Sequence, residues 1–225
     1  MYGTERAAKL SLSEESIESR TSPRFALMLR AAKIIADGRE FLCILRDVSA
    51  SGVRIRLFHS LPAYEKLELE LGSGERMGIH LVWQKDDHAG LRFDCETDIK
   101  RLIDESNAPF PRRQIRLRIA LEAQLQSGGT TESITLRDIS QQGASIECNK
   151  FLMMNELVRV DIHSLPPIYA KVRWRNTPLY GLIFEQTFKL DDLARAAAPL
   201  QLGQSQAAES ASTASARSTS ATRPG

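Results

Sequence analysis

Two short motifs built from arginine, aspartate, serine and glycine each occur twice in this 225-residue chain. In both copies, two arginines four residues apart are followed by Asp-x-Ser-x-x-Gly, 22 or 23 residues after the second arginine. An arginine presents a planar fork of donors that matches phosphate oxygens or the O6 and N7 edge of guanine. A carboxylate can accept from guanine N–H groups, a serine hydroxyl can donate to phosphate, and a turn glycine lets backbone approach a ligand closely. The set suits a ligand that combines guanine with phosphate. The candidate residues are Arg20, Arg24, Asp47, Ser49 and Gly52 in the first copy and Arg112, Arg116, Asp138, Ser140 and Gly143 in the second.

The surroundings of the motifs repeat as well. An offset of 91 residues relates the two aspartates, the two tryptophans Trp83 and Trp174, and the glycine and phenylalanine of a Gly-x-x-Phe segment that follows each tryptophan. The arginines are related by an offset of 92. This period is too long for a solenoid and matches a duplicated compact domain. We expect an arm over residues 1–17, a first domain over 18–105, a Pro-containing linker over 106–111, a second domain over 112–200, and a disordered Ser/Ala-rich tail over 201–225.

Alternating apolar and polar residues predict the secondary structure of each repeat. Val53 to Leu57 alternates apolar residues with arginines, and Lys66 to Leu71 alternates leucines with charged residues, as in half-buried antiparallel strands. We predict short helices over 97–103 and 190–198. Six short strands with frequent turns favour a small barrel. The fold class is therefore mainly all-β, with two tandem six-stranded antiparallel barrels, each followed by a short C-terminal helix. The strands predicted in the first repeat are 25–35, 40–48, 52–58, 65–71, 77–85 and 89–94, and the second repeat has the same order.

Composition limits the other possibilities. The net charge is +2, and the three cysteines do not recur in the repeat, which favours a reducing compartment over disulfides or zinc. The histidines share no metal-ligand spacing, and no stretch resembles a signal peptide or a membrane span. With 6% aromatic residues, a stacking groove for a nucleic acid polymer is not expected. These features together lead us to expect a cytoplasmic protein with no metal or cofactor. Because no nucleophile and base stand at repeated positions, we do not expect an enzyme.

Several of these residues have a purely structural interpretation. Asp-x-Ser-x-x-Gly on its own is typical of a turn that closes a hairpin. The two tryptophans are expected in or at the edge of the core, and Arg54 and Arg56 on a solvated strand face. Arg46 and Arg137, beside the motif, fit either a ligand rim or a structural ion pair. The segment 72–78 has the glycine spacing of a nucleotide loop but joins two strands, which predicts a hairpin turn.

Arg-x-x-x-Arg followed by Asp-x-Ser-x-x-Gly on a six-stranded barrel, with a Trp strand and a Gly-x-x-Phe strand near its end, resembles the PilZ domain family of bacterial receptors for cyclic di-GMP. The resemblance covers about residues 18–105 and 108–198. It implies that the paired arginines of each domain grip guanine edges and phosphates, and that the Asp, Ser and Gly form the barrel half of each site. The family often sets a further arginine beside the leading one; Arg113 fits that part, whereas Arg20 is flanked by Ser19 and Thr21.

The resemblance implies a function as well as a fold. We expect a receptor or adaptor that binds cyclic di-GMP as its ligand and relays the signal by domain reorientation to a downstream protein partner. The alternative is a PilZ-type protein-interaction scaffold whose clefts hold no ligand.

Overall fold

The chain forms two closed antiparallel β-barrels. The computed structural model describes residues 25–98, 114–163 and 165–202. The first barrel consists of β1 (Phe25–Ala36), β2 (Arg39–Ser49), β3 (Gly52–Leu57), β4 (Leu67–Glu70), β5 (Arg76–Lys85) and β6 (His88–Phe93). The second consists of β7 (Leu117–Ser127), β8 (Thr130–Ile139), β9 (Gly143–Glu147), β10 (Leu157–Asp161), β11 (Ile168–Asn176) and β12 (Leu179–Phe184).

Both barrels have the same strand order. In the first, the order is β1-β2-β3-β6-β5-β4, and β4 pairs back with β1. In the second, the corresponding closure is the pairing of β10 with β7. Closure gives each of the twelve described strands a hydrogen-bonded neighbour on both sides over at least part of its length. The predicted fold class of two tandem six-stranded barrels is confirmed, and the observed strands lie within about two residues of those predicted for the first repeat.

Alternation along each strand fills the barrel interior. In β7, for example, Leu117, Ile119, Ala123 and Leu125 are buried, while the polar residues between them face outward. Full burial of a Leu or Ile side chain contributes about 1.5–3 kcal/mol relative to its exposure. The apolar face of every strand therefore points to one of two separate cores.

Strand β2 departs from alternation because it is covered on both sides. Six successive residues from Glu40 to Leu45 are buried, and among them Leu42 belongs to the core of the second barrel. Its neighbours Phe41 and Cys43 point into the first barrel. The outer face of β2 thus lies in the interface between the two barrels.

A C-terminal helix, α1 (190–202), also lies at this interface. Leu193, Ala194 and Ala197 pack on the second core, and Ala198 packs on the first. Gln201 is buried and its side-chain amide donates to the Arg118 carbonyl at 2.7 Å. The helix continues to residue 202, four residues beyond the predicted end, and the buried, hydrogen-bonded Gln201 anchors this last turn. Two residues that we assigned to the tail are therefore helical.

Several sequence predictions fall on residues outside the described ranges. These are the arm 1–17, the linker 106–111, most of the tail, and most of the predicted helix 97–103, of which Thr97 and Asp98 are described and not helical. Within the described part of the chain, no helix has the length and hydropathy needed to cross a bilayer.

Candidate functional site

On each barrel, a row of cross-strand neighbours links the motif aspartate to the tryptophan. In the first barrel, Asp47 pairs with Arg54, Arg54 with Gly90, and Gly90 with Trp83. Residues directly opposite one another on adjacent strands share one face of the sheet. The second barrel repeats the row as Asp138, Ser145, Gly181 and Trp174.

The two tryptophans lie on the outside of the barrels, so the prediction that they lie in or at the edge of the core is wrong. Trp83 and Trp174 are each 42% exposed. Continued alternation after Ile79 and Leu81 would point Trp83 inward, but a β-bulge between Leu81 and Trp83 turns it outward. The equivalent bulge lies between Val172 and Trp174.

Glycine lets each indole lie flat against the sheet. A methyl group at Gly90 would overlap the indole nitrogen of Trp83, and one at Gly181 would overlap that of Trp174. The flat ring therefore forms one wall of a cleft whose other wall carries the motif. The repeat in the sequence identified the Trp and Gly positions, but it did not predict that each indole packs against its glycine.

The first cleft has a volume of about 210 Å³ and is lined by first-barrel residues only. Asp47, Ser49, Gly52 and Trp83 all line it. The Asp47 carboxylate pairs with the Arg54 Nε at 2.5 Å. Arg54 lies on the exposed strand face, as predicted, and this ion pair also engages it within the cleft.

The second cleft is larger, at about 600 Å³. Arg116 Nη1 donates to Asp138 Oδ1 at 2.5 Å, and the Ser145 hydroxyl donates to the other carboxylate oxygen. Arg116, Arg173 and Trp174 line the cleft. Small-molecule pockets typically measure about 300–1,000 Å³. Of the two motif clefts in the described part of the chain, only this one reaches that size.

The serine and glycine of each motif close the β-hairpin. Ser49 Oγ donates to the Gly52 carbonyl at 3.2 Å, and Ser140 Oγ donates to the Gly143 carbonyl at 3.0 Å. Both serines are buried. A methyl group at either glycine would overlap a carbonyl oxygen of the neighbouring strand. These contacts match the hairpin-turn interpretation of the motif and place its backbone at the bottom of the cleft.

The leading arginines are only partly described. Arg20, Arg24, Arg112 and Arg113 lie outside the described residues. Arg116 comes next to Asp138 because β7 begins where β8 ends, at the pairing of Leu117 with Ile139. The structure thus brings one leading arginine and one motif aspartate together.

The two arginines beside the motifs, Arg46 and Arg137, differ in their contacts. Arg137 pairs with Glu147 across β8 and β9, so it is a structural ion pair. Arg46 has a buried Nε with no hydrogen-bond partner among the described residues. Arg56, predicted on a solvated face, bonds Asp87 at 2.7 Å, and this hydrogen bond raises the pKa of the guanidinium. The described ranges contain no group of His, Cys, Asp and Glu side chains placed to hold a metal ion.

The fold and its clefts define a tandem small-barrel protein with a polar, tryptophan-flanked cleft on the outer face of each barrel. The PilZ domain family model matches residues 18–105 and 110–196. The chain therefore belongs to the PilZ domain family, with one PilZ domain in each barrel.

Solved structures with a similar chain path include three bacterial proteins. PlzA of Borreliella burgdorferi in complex with c-di-GMP is 12% identical, with a TM-score of 0.32, and the match covers 77% of this chain and 92% of that one. The Bacillus subtilis inhibitor of motility MotI/DgrA is 15% identical, with a TM-score of 0.34 and coverage of 79% and 99%. YcgR from Escherichia coli in complex with c-di-GMP is 11% identical, with a TM-score of 0.27 and coverage of 83% and 88%. A search of curated proteins found no match.

Proposed function

We propose that this protein is a cytoplasmic receptor that binds cyclic di-GMP and passes the signal to a protein partner. The observation that carries the proposal is the second cleft, a space of about 600 Å³ lined by Arg116 and Trp174, in which Asp138 holds Arg116 by a hydrogen bond. Membership of the PilZ domain family supports the choice of ligand. The structures of PlzA and YcgR contain this ligand, which makes it the first probe to test.

The chemistry of the cleft suits guanine and phosphate. The guanidinium groups of Arg116 and Arg173 can each present a fork of donors to phosphate or to a guanine edge. The exposed face of Trp174 can stack on a base, which contributes roughly 1–3 kcal/mol. Asp138 is already bonded to Arg116 and Ser145, so its role is to orient the arginine.

The signal leaves the site through the start of β7. Arg116, which lines the cleft, lies two residues before Arg118, which pairs with Glu40 of the first barrel. Ligand that draws Arg112 onto the second barrel, where Arg116 already bonds Asp138, therefore pulls on the strand that contacts the first. We propose that binding changes the angle between the barrels. Small-angle scattering at saturating ligand tests this step, and an unchanged profile would remove it from the proposal while leaving binding intact.

Calorimetric titration with cyclic di-GMP tests binding. The double variant Arg112→Ala/Arg116→Ala removes the arginines of the second site, and Arg20→Ala/Arg24→Ala removes those of the first. Loss of one charge-assisted hydrogen bond of about 1.5–3 kcal/mol weakens binding roughly 10- to 100-fold. The matched control is Arg159→Ala, because Arg159 pairs with Asp161 outside both clefts. Absence of heat with the wild-type protein would contradict the proposal.

A second candidate function, a protein-docking scaffold, is favoured for the first barrel alone. Its cleft is about 210 Å³, and its motif aspartate is already paired with Arg54. The second barrel has Ser145 at the position of Arg54. If only Arg112→Ala/Arg116→Ala loses heat, the second barrel holds the single working ligand site, as this candidate function requires.

A further inference from the structure

A buried cluster of charges lies where the two barrels meet. Lys33 Nζ is 3.1 Å from Glu40 Oε2 and 2.6 Å from Glu70 Oε1. All three residues are buried, and Glu40 is 1% exposed. Withdrawing charges from water costs several kcal/mol each unless partners replace the water. Such a cluster requires an explanation beyond stability.

The barrel fold itself does not require these charges. The second barrel has the same strands, and the residues 91 positions further along are Gln124, Thr131 and Asp161. Gln124 and Thr131 are uncharged and exposed. Asp161 keeps the carboxylate of Glu70, so Lys33 and Glu40 are the charges that only the first barrel carries.

The cluster faces the second barrel and its cleft. Glu40 accepts hydrogen bonds from the Arg118 backbone N–H at 2.9 Å and from Arg118 Nε at 2.6 Å. Lys33 and Glu70 line the second cleft together with Arg116. One wall of this cleft is thus supplied by the first barrel.

The glycine-rich segment 72–78 completes the same wall. It is the predicted hairpin turn, between β4 and β5, and it is closed by the bond from the Gly74 N–H to the Leu71 carbonyl at 2.9 Å. Gly72 and Gly74 line the second cleft. Because glycine has no side chain, the backbone of the turn forms this part of the cleft surface.

We propose that Lys33 is a phosphate-binding residue of the second cleft, and that Glu70 competes with the ligand for its ammonium group. The inference rests on the proposed function of that cleft. An ammonium group has three N–H donors, and Glu40 and Glu70 accept from it, so a third donor remains for a phosphate oxygen. The described lining carries three cations, Lys33, Arg116 and Arg173, and one carboxylate, Glu70. Arg173 at this lining adds a positive charge that attracts a phosphate-bearing ligand.

The positions of the two tryptophans allow ligand binding at the second cleft to be measured separately from binding at the first. The chain has two, one in each cleft, so the Trp83→Phe variant leaves Trp174 as the only indole. Titration of this full-length variant with cyclic di-GMP, followed by Trp174 fluorescence, reports binding at the second cleft. In this background, Lys33→Gln weakens binding by about 10-fold or more through loss of a charged hydrogen bond. Glu70→Gln removes the competing carboxylate and tightens binding, by roughly threefold or more for about 0.7 kcal/mol.

The opposite signs separate a ligand contact from a structural one. Loss of stability alone would weaken binding in both variants, and thermal melting of each shows whether it is folded. The matched controls are Lys66→Gln and Glu68→Gln, because Lys66 and Glu68 form a pair at 3.1 Å outside the second cleft. Neither control changes the affinity. If Lys33→Gln does not fold, the tighter binding of Glu70→Gln still tests the proposal.

The outcomes distinguish failure of the Lys33 inference from failure of the proposed function. If the Trp83→Phe protein binds the ligand and Glu70→Gln binds it equally or more weakly, Lys33 is not in competition and this inference is overturned, while the proposed function stands. A folded Lys33→Gln that binds normally has the same consequence. If neither the Trp174 signal nor wild-type calorimetry detects binding, the proposed function itself fails.

Discussion

The indole of Trp174 occupies the space that a side chain at Gly181 would take. Gly181 is the cross-strand neighbour of Trp174, and the first barrel repeats the relationship with Gly90 and Trp83. A large flat ring, 42% exposed, is thereby held against the outer surface of each barrel in the same cross-strand row as the motif aspartate. The arrangement places an aromatic surface in each cleft without removing an apolar residue from the core.

Gly181→Ala is expected to displace the Trp174 ring and weaken ligand binding at the second cleft. Loss of base stacking of about 1–3 kcal/mol corresponds to at least several-fold lower affinity. The displaced ring also costs roughly 1–3 kcal/mol of stability through overpacking. Calorimetry and indole emission measure the two effects. Gly90→Ala is the matched control, because the ring that packs against Gly90 is that of Trp83 in the first cleft. A Gly181→Ala protein with wild-type affinity would contradict the proposed stacking role of Trp174.

Glu40→Gln is expected to lower the free energy of unfolding by about 3 kcal/mol. The substitution leaves the buried Lys33 with Glu70 as its remaining carboxylate, and breaking a buried ion pair costs about this amount. Urea unfolding measures the change. The control Glu68→Gln breaks the Lys66 pair, where lysine is 72% exposed, and is expected to cost about 1 kcal/mol or less. Equal losses in the two variants would show that the interface cluster is not a structural link.

The dependence of stability on pH is expected to become flatter in Glu70→Gln. Burial acts to raise the pKa of Glu70, but hydrogen bonds from Lys33 and Arg76 outweigh it and hold the pKa below its ordinary value of 4.5. A lowered carboxyl pKa stabilises the folded state above the unfolded-state value, and this stability is lost as the pH falls through the folded-state pKa. Unfolding free energies measured between about pH 6 and pH 3 check the effect. Parallel curves for variant and wild type would contradict the assigned contacts.

One cysteine is expected to react in the folded protein. Cys95 is exposed, whereas Cys43 and Cys148 are buried. Burial raises the pKa of both buried thiols, which suppresses the reactive thiolate. A colourimetric thiol reagent at pH 8 should therefore detect one thiol in the native protein and three after denaturation. Rapid reaction of a second native thiol would contradict the placement of Cys43 or Cys148 inside its barrel.

Much of the fold could be predicted because its signals are local. Alternation along strands and glycine-containing turns place the strands within about two residues, and the 91-residue repeat doubles the pattern. Strand β2 shows the limit of this reasoning. Its continuous burial from Glu40 to Leu45 arises from contact with the second barrel, which no feature of the strand itself predicts.

The site was predictable where spacing follows strand pairing. Arg116 lies beside Asp138 because a hairpin returns the chain to the same end of the sheet. The tryptophans were misplaced because a single bulge residue reverses the face of everything after it. The exposure of Arg54 was predictable from alternation, but its partner Asp47 across the strand was not.

The amino-acid pattern was sufficient for two barrels, their duplicated motifs and the family to which they belong, since these depend on neighbours along the chain or across one hairpin. The unequal clefts emerged only from the folded chain. Lys33, Glu70 and the turn at Gly72 reach Arg116 and Trp174 through the packing of one barrel on the other. Such packing depends on the shape and charge of two complete surfaces, which residue spacing within either repeat does not predict.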